Sequence, residues 1–156
     1  MLYRKIEALI ESHLKSSSKK ILLIDGARQV GKTYIIRYVG QRLFENFIEI
    51  NLVEDSLGNR LFAGTKTVED FYLQISMLAG SKMKQKENTL IFLDEIQAYP
   101  HLLTLLKFLS QDDKFTFIAS GSRALLCRRP PRFRWAVYGR SECSRWILKN
   151  SSMPTG

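Results

Sequence analysis

Apolar residues recur at helical spacing through Leu2, Ile6, Leu9, Ile10 and Leu14, which predicts an amphipathic helix over the first fifteen residues, followed by the polar linker Ser16 to Lys20. The period then changes. Ile21 to Ile24 is a short, continuous apolar run ending at Asp25-Gly26, the signature of a strand buried on both faces. Thr33 to Leu43 returns to a helical period through Ile35, Ile36, Val39 and Leu43, and Phe47 to Ile50 reads as a second strand. Val68 to Leu78 predicts a further helix, Thr89 to Leu93 a third strand, His101 to Leu109 a helix after Pro100, and Phe115 to Ala119 a fourth strand. Strand and helix alternate, as in βαβ units, whose parallel strands need helical crossovers. The predicted class is α/β, and the first helix is assigned to packing.

Chemistry is concentrated where the strands end. Gly26-Ala27-Arg28-Gln29-Val30-Gly31-Lys32-Thr33 matches G-x-x-x-x-G-K-[ST] in full, directly after a strand and at a helix start. In that pattern the glycines let the backbone curl so that its N–H groups point at phosphate oxygens, and the following helix dipole favours the same anion. Lys32 is expected to reach the β- and γ-phosphates of ATP, and Thr33 to offer Mg²⁺ a hydroxyl oxygen. A plain Gly-containing turn requires neither a lysine nor a hydroxyl at these positions.

Leu90 to Leu93 leads into Asp94-Glu95, which places two carboxylates at the carboxyl edge of the sheet, where open α/β folds bind ligands. This is the Walker B pattern. Asp94 is expected to organise the Mg²⁺ shell, and Glu95 to orient and polarise the water that attacks the γ-phosphate. The fourth strand runs into Ser120-Gly121-Ser122, so Ser120 is the first candidate for a residue sensing the γ-phosphate and Ser122 the second. A serine leaving a strand is also a common turn former. His13 and His101 have no companion ligands in the sequence and read as surface or packing residues.

Composition adds one further feature. The net charge of +9 invites a nucleic-acid reading, but residues 1–126 hold 17 Lys or Arg against 14 Asp or Glu, and residues 127–156 hold 7 against Glu142 alone. Most of the excess lies in the last thirty residues, which also hold Cys127, Cys143, Trp135, Trp146 and three of the four prolines. Such a segment reads as a solvated basic tail. No apolar run approaches the roughly 20 residues that span a bilayer, and Arg4, Lys5 and Glu7 interrupt the amino terminus, unlike a signal peptide. The expectation is a soluble, cytoplasmic protein without membrane partners. The two cysteines form no metal-ligand pattern and receive no role.

With these motifs in place, residues 3–126 resemble the prokaryotic AAA-type ATPases whose P-loop domain is usually joined to a C-terminal nuclease-like domain. The resemblance rests on 26–33, on Leu-Asp-Glu-Ile-Gln at 93–97 and on Ala-Ser-Gly-Ser at 119–122. It implies a three-layer P-loop NTPase sandwich with a mainly parallel sheet in the order 5-1-4-3-2, ATP and Mg²⁺ as cofactors, and self-association into a homo-oligomer. Adenine is favoured over guanine, since Asp94-Glu95 is no D-x-x-G and no N-K-x-D occurs. Such proteins continue past this point with Pro-Val-Gly-Arg and then Pro-Met-Asp-Phe-Glu-Glu-Phe-Leu segments that are absent here. Reading permitted codons for Phe133 to Tyr138 and Arg145 to Pro154 one base earlier recovers both, Trp135-Ala136 forcing a glycine and Trp146-Ile147 an aspartate. The resemblance therefore implies an ATP-binding domain over 1–126 lacking its fifth strand, and a non-native or disordered tail over 127–156. Three functions follow as expectations: ATP hydrolysis driving a conformational switch, a largely inactive fragment, or nucleic-acid binding through the tail. Arg140 and Arg145 are weak candidates for an arginine finger.

Overall fold

The computed structural model describes residues 2–16, 20–26, 29–121 and 133–138. Ten elements follow in order: α1 (Leu2–Lys15), β1 (Ile21–Gly26), α2 (Lys32–Leu43), β2 (Asn46–Asn51), α3 (Leu52–Leu57), α4 (Val68–Ala79), β3 (Thr89–Asp94), α5 (Pro100–Asp112), β4 (Thr116–Gly121) and β5 (Phe133–Tyr138). Every helix and strand expected from periodicity is present. The short α3 has too few residues to show a period. Its nucleus is a single side chain, Asn51, whose amide oxygen accepts from the amides of Val53 at 3.1 Å and Glu54 at 3.3 Å. Helix α4 opens on a full capping box, in which Thr67 accepts from the Asp70 amide and the Asp70 carboxylate accepts from the Thr67 amide.

The five strands form one sheet in the order β2-β3-β4-β1-β5. β1 to β4 are mutually parallel, in the expected order, and β5 runs antiparallel to β1 from Ile21↔Tyr138 to Gly26↔Phe133. The expected absence of a fifth strand is thus corrected. Charge and proline content obscured the local propensity of Phe-Arg-Trp-Ala-Val-Tyr, an aromatic and β-branched run suited to a strand, and the outer edge of β1 supplies the backbone partners. The rest of the tail, with Cys127, Arg140, Cys143 and Arg145, lies outside the described residues.

Alternation along the strands sorts the core into two layers. Leu22, Ile24, Leu90, Phe92 and Ile118 pack on one face with Ile6, Ile10 and Leu14 of α1 and Ile35, Ile36 and Val39 of α2. Ile21, Leu23, Ile48, Ile50, Ile91, Leu93 and Phe117 face the other way, toward Phe71 and Ile75 of α4 and Leu102, Leu105, Leu106 and Leu109 of α5. This is the three-layer sandwich expected of a sheet buried on both faces. Gly40 sets how closely α2 approaches: a Cβ there would stand 2.5 Å from Phe47 Cε2 and 2.9 Å from Leu90 Cδ2. No described helix is long and apolar enough to cross a membrane.

Candidate functional site

The parallel arrangement brings the carboxyl ends of β1, β3 and β4 side by side, with Asp25 opposite Gly121 and Leu93, just before Asp94, opposite Ala119. The chain leaves β1 at Gly26 and turns through Gln29 and Gly31, both at positive φ (60° and 83°), before entering α2. Gly31 is the N-cap: its carbonyl accepts the Ile35 amide at 3.1 Å, and having no side chain it leaves the first amides of α2 without a side-chain cap. Those amides and the positive end of the helix dipole therefore face the loop, the standard electrostatics of an anion site. Ala27 and Arg28 lie outside the described residues; Val30 lies on the turn between the two positive-φ positions.

Helix α2 delivers two candidate side chains at its first turn. Lys32 is 5% exposed, and its ammonium folds back to donate to the Gly26 carbonyl at 3.1 Å, which places the charge over the loop. Thr33 donates its hydroxyl to Asp94 Oδ2 at 2.8 Å, across 61 residues of sequence. Asp94 is itself buried and is the centre of the arrangement. Its Oδ1 accepts from the Ser120 hydroxyl and, at 3.0 Å, from the Glu95 amide, so both carboxylate oxygens are held in place. Ser120 is fully buried, and its described contact is with Asp94. Ser122 lies outside the described residues.

Glu95 has φ 57° and ψ 47°, in the left-handed region, and starts a 3-10 turn over Ile96–Ala98. Gln97 Nε2 donates to Glu95 Oε2. Behind the turn, Tyr99 donates its hydroxyl to Asp55 Oδ2 at 2.8 Å, and Asp55 also accepts the amides of Leu61 (3.0 Å) and Phe62 (3.2 Å). Burial, reinforced by the bond to Asp55, pushes the Tyr99 hydroxyl up to about 12. His101 meets the Phe62 carbonyl at 3.0 Å and forms an edge contact with Tyr99, a packing role. Sequence reasoning missed Asp55 and Tyr99, which are 44 residues apart and carry no local signal. Gln97 lay inside a quoted motif without a role.

The donor set suits a nucleotide with its metal. A hydroxyl and a carboxylate within hydrogen-bonding distance supply hard oxygen ligands, and a buried ammonium at a helix start without a side-chain cap suits phosphate. Among the described residues no three His, Cys, Asp or Glu side chains cluster as a protein-only metal cage. A magnesium ion here would complete its shell with phosphate and water oxygens, its usual habit.

Residues 18–136 match the family model described as an AAA domain, extending beyond Leu126 into β5. Among solved structures the chain is similar to PCH-2 of C. elegans at 20% identity and a TM-score of 0.45, covering 81% of this chain and 38% of that one. No curated protein sequence matches. With the family model spanning most of its length, the chain belongs to the AAA domain family, a family of nucleotide-binding ATPase domains.

Proposed function

We propose that the chain binds ATP with Mg²⁺ at the carboxyl edge of the sheet and hydrolyses it, with hydrolysis driving a conformational switch. The observation that carries this reading is the convergence of the Thr33 and Ser120 hydroxyls on the two oxygens of Asp94, next to the ammonium of Lys32 and the uncapped amino end of α2. Residues 26–33 form the Walker A loop of the reading and Asp94-Glu95 its Walker B pair. The backbone amides from Gln29 to Thr33 and the Lys32 ammonium bind the phosphate oxygens. Thr33 and Asp94 would hold the metal, which would supply charge neutralisation on the β- and γ-phosphates. Glu95 orients the attacking water and takes up its proton. Ser120, donating to Asp94, keeps that carboxylate in register from the end of β4, the position from which it would also sense the γ-phosphate.

A thermal-shift titration tests the binding step, because a ligand that binds only the native state raises apparent stability, by about 2.7 kcal/mol at a hundredfold excess over Kd. Mg·ATP raises Tm, ATP with a chelator raises it less, and Lys32→Ala removes the shift. Folded protein that shows no shift with millimolar Mg·ATP overturns the reading. Binding without phosphate release identifies instead a fragment that retains the pocket and has lost turnover.

A further inference from the structure

We infer that Gln97 is a positioning residue for Glu95, fixing the direction of its carboxylate through the side-chain amide. The inference rests on the reading of Glu95 as the residue that orients water. In the segment Leu93 to Gln97, Leu93 and Ile96 are core residues, Asp94 bonds to Thr33 and Ser120, and Glu95 and Gln97 are a half-buried pair. Glu95 occupies a left-handed backbone conformation that residues with a Cβ avoid, a feature that clusters at functional sites. The turn holding it does not need Gln97. Backbone bonds close it, from the Ala98 amide to the Glu95 carbonyl at 2.9 Å and from the Tyr99 amide to the Ile96 carbonyl at 3.1 Å. The Tyr99 hydroxyl on Asp55 then fastens its far end to α3.

The backbone of the turn is fixed at both ends, and the amide of Gln97 donates to Glu95 Oε2. A glutamate side chain has three rotatable torsions, and anchoring one oxygen confines the plane and the second oxygen with it. A charge-assisted bond of this kind is among the stronger single contacts a side chain can make. Gln97 thus acts through Glu95, upstream of the chemistry.

The first test needs no nucleotide. In ¹⁵N-labelled protein Glu95→Ala moves the Gln97 side-chain amide resonances, whereas Glu69→Ala on the exposed face of α4 leaves them in place; resonances that do not move in Glu95→Ala overturn the proposal. The second test is turnover of Mg·ATP. Gln97→Ala keeps the nucleotide-induced Tm shift and the KM, and lowers kcat about tenfold. Gln97→Glu, of the same shape but without the donor, lowers kcat at least as far as Gln97→Ala, while Gln97→Asn, which keeps the donor on a shorter stem, recovers part of the loss. An unchanged or raised kcat in Gln97→Ala overturns the positioning role. A wild-type protein that binds Mg·ATP without hydrolysing it sinks the assignment of Glu95, while the amide resonances still decide the contact.

Discussion

The middles of β3 and β4 and their carboxyl ends are both shielded from water, yet they place opposite demands on the sequence. In the middle, Leu22, Leu23, Leu90 to Leu93 and Phe117 to Ala119 are buried and apolar, and what matters is volume. At the carboxyl ends Asp94 is 5% exposed and Ser120 0%, and what matters is the partner each polar atom finds. Asp94 has three such partners within hydrogen-bonding distance. The amino end of β3 shows the contrary case: Thr89 is fully buried, and its hydroxyl has no hydrogen-bond partner among the described residues. Burial of a polar residue therefore singles out the carboxyl end of this sheet only where the hydrogen bonds converge.

The contrast can be broken from either side. Phe92→Ala removes a fully buried ring packed 6.2 Å from Phe47, and urea unfolding should show a loss of about 3–5 kcal/mol, with nucleotide affinity per folded molecule unchanged. Glu95→Gln should do the reverse: phosphate release falls at least about a hundredfold while Tm without ligand stays within a degree or two of wild type. A comparable loss of stability in Glu95→Gln would erase the distinction between the two regions. Gly40→Ala probes volume alone, since the added methyl meets Phe47 and Leu90; denaturation should report about 1–3 kcal/mol of destabilisation, relieved in part by Phe47→Leu. The smallest effect sharpens the comparison most. Thr89→Val replaces an unpartnered buried hydroxyl with a methyl and should raise stability by about 1 kcal/mol, whereas Ser120→Ala, which strips a donor from Asp94, should weaken the Mg·ATP-induced Tm shift.

Much of this was legible along the chain because it is local. The long helices and the four parallel strands follow from apolar periods, and the loop at 26–33 from a contiguous motif whose glycine at 31 does adopt positive φ. The six-residue α3 escaped because one asparagine, not a period, nucleates it. β5 escaped because composition was weighed over the whole tail, while pairing with β1 depends on six residues and on an available edge.

The sequence by itself determined which residues carry charge, hydroxyl and amide, and that they stand at strand ends and a helix start. Only the tertiary structure decided which of them meet. Parallel strands bring Thr33, Asp94 and Ser120 together across spans of 61 and 26 residues, and the fold of α3 against the turn after β3 joins Asp55 to Tyr99. The reason is physical: periodicity is a property of neighbouring residues, whereas a hydrogen bond between distant side chains exists only once the sheet has fixed their register and the core has removed competing water.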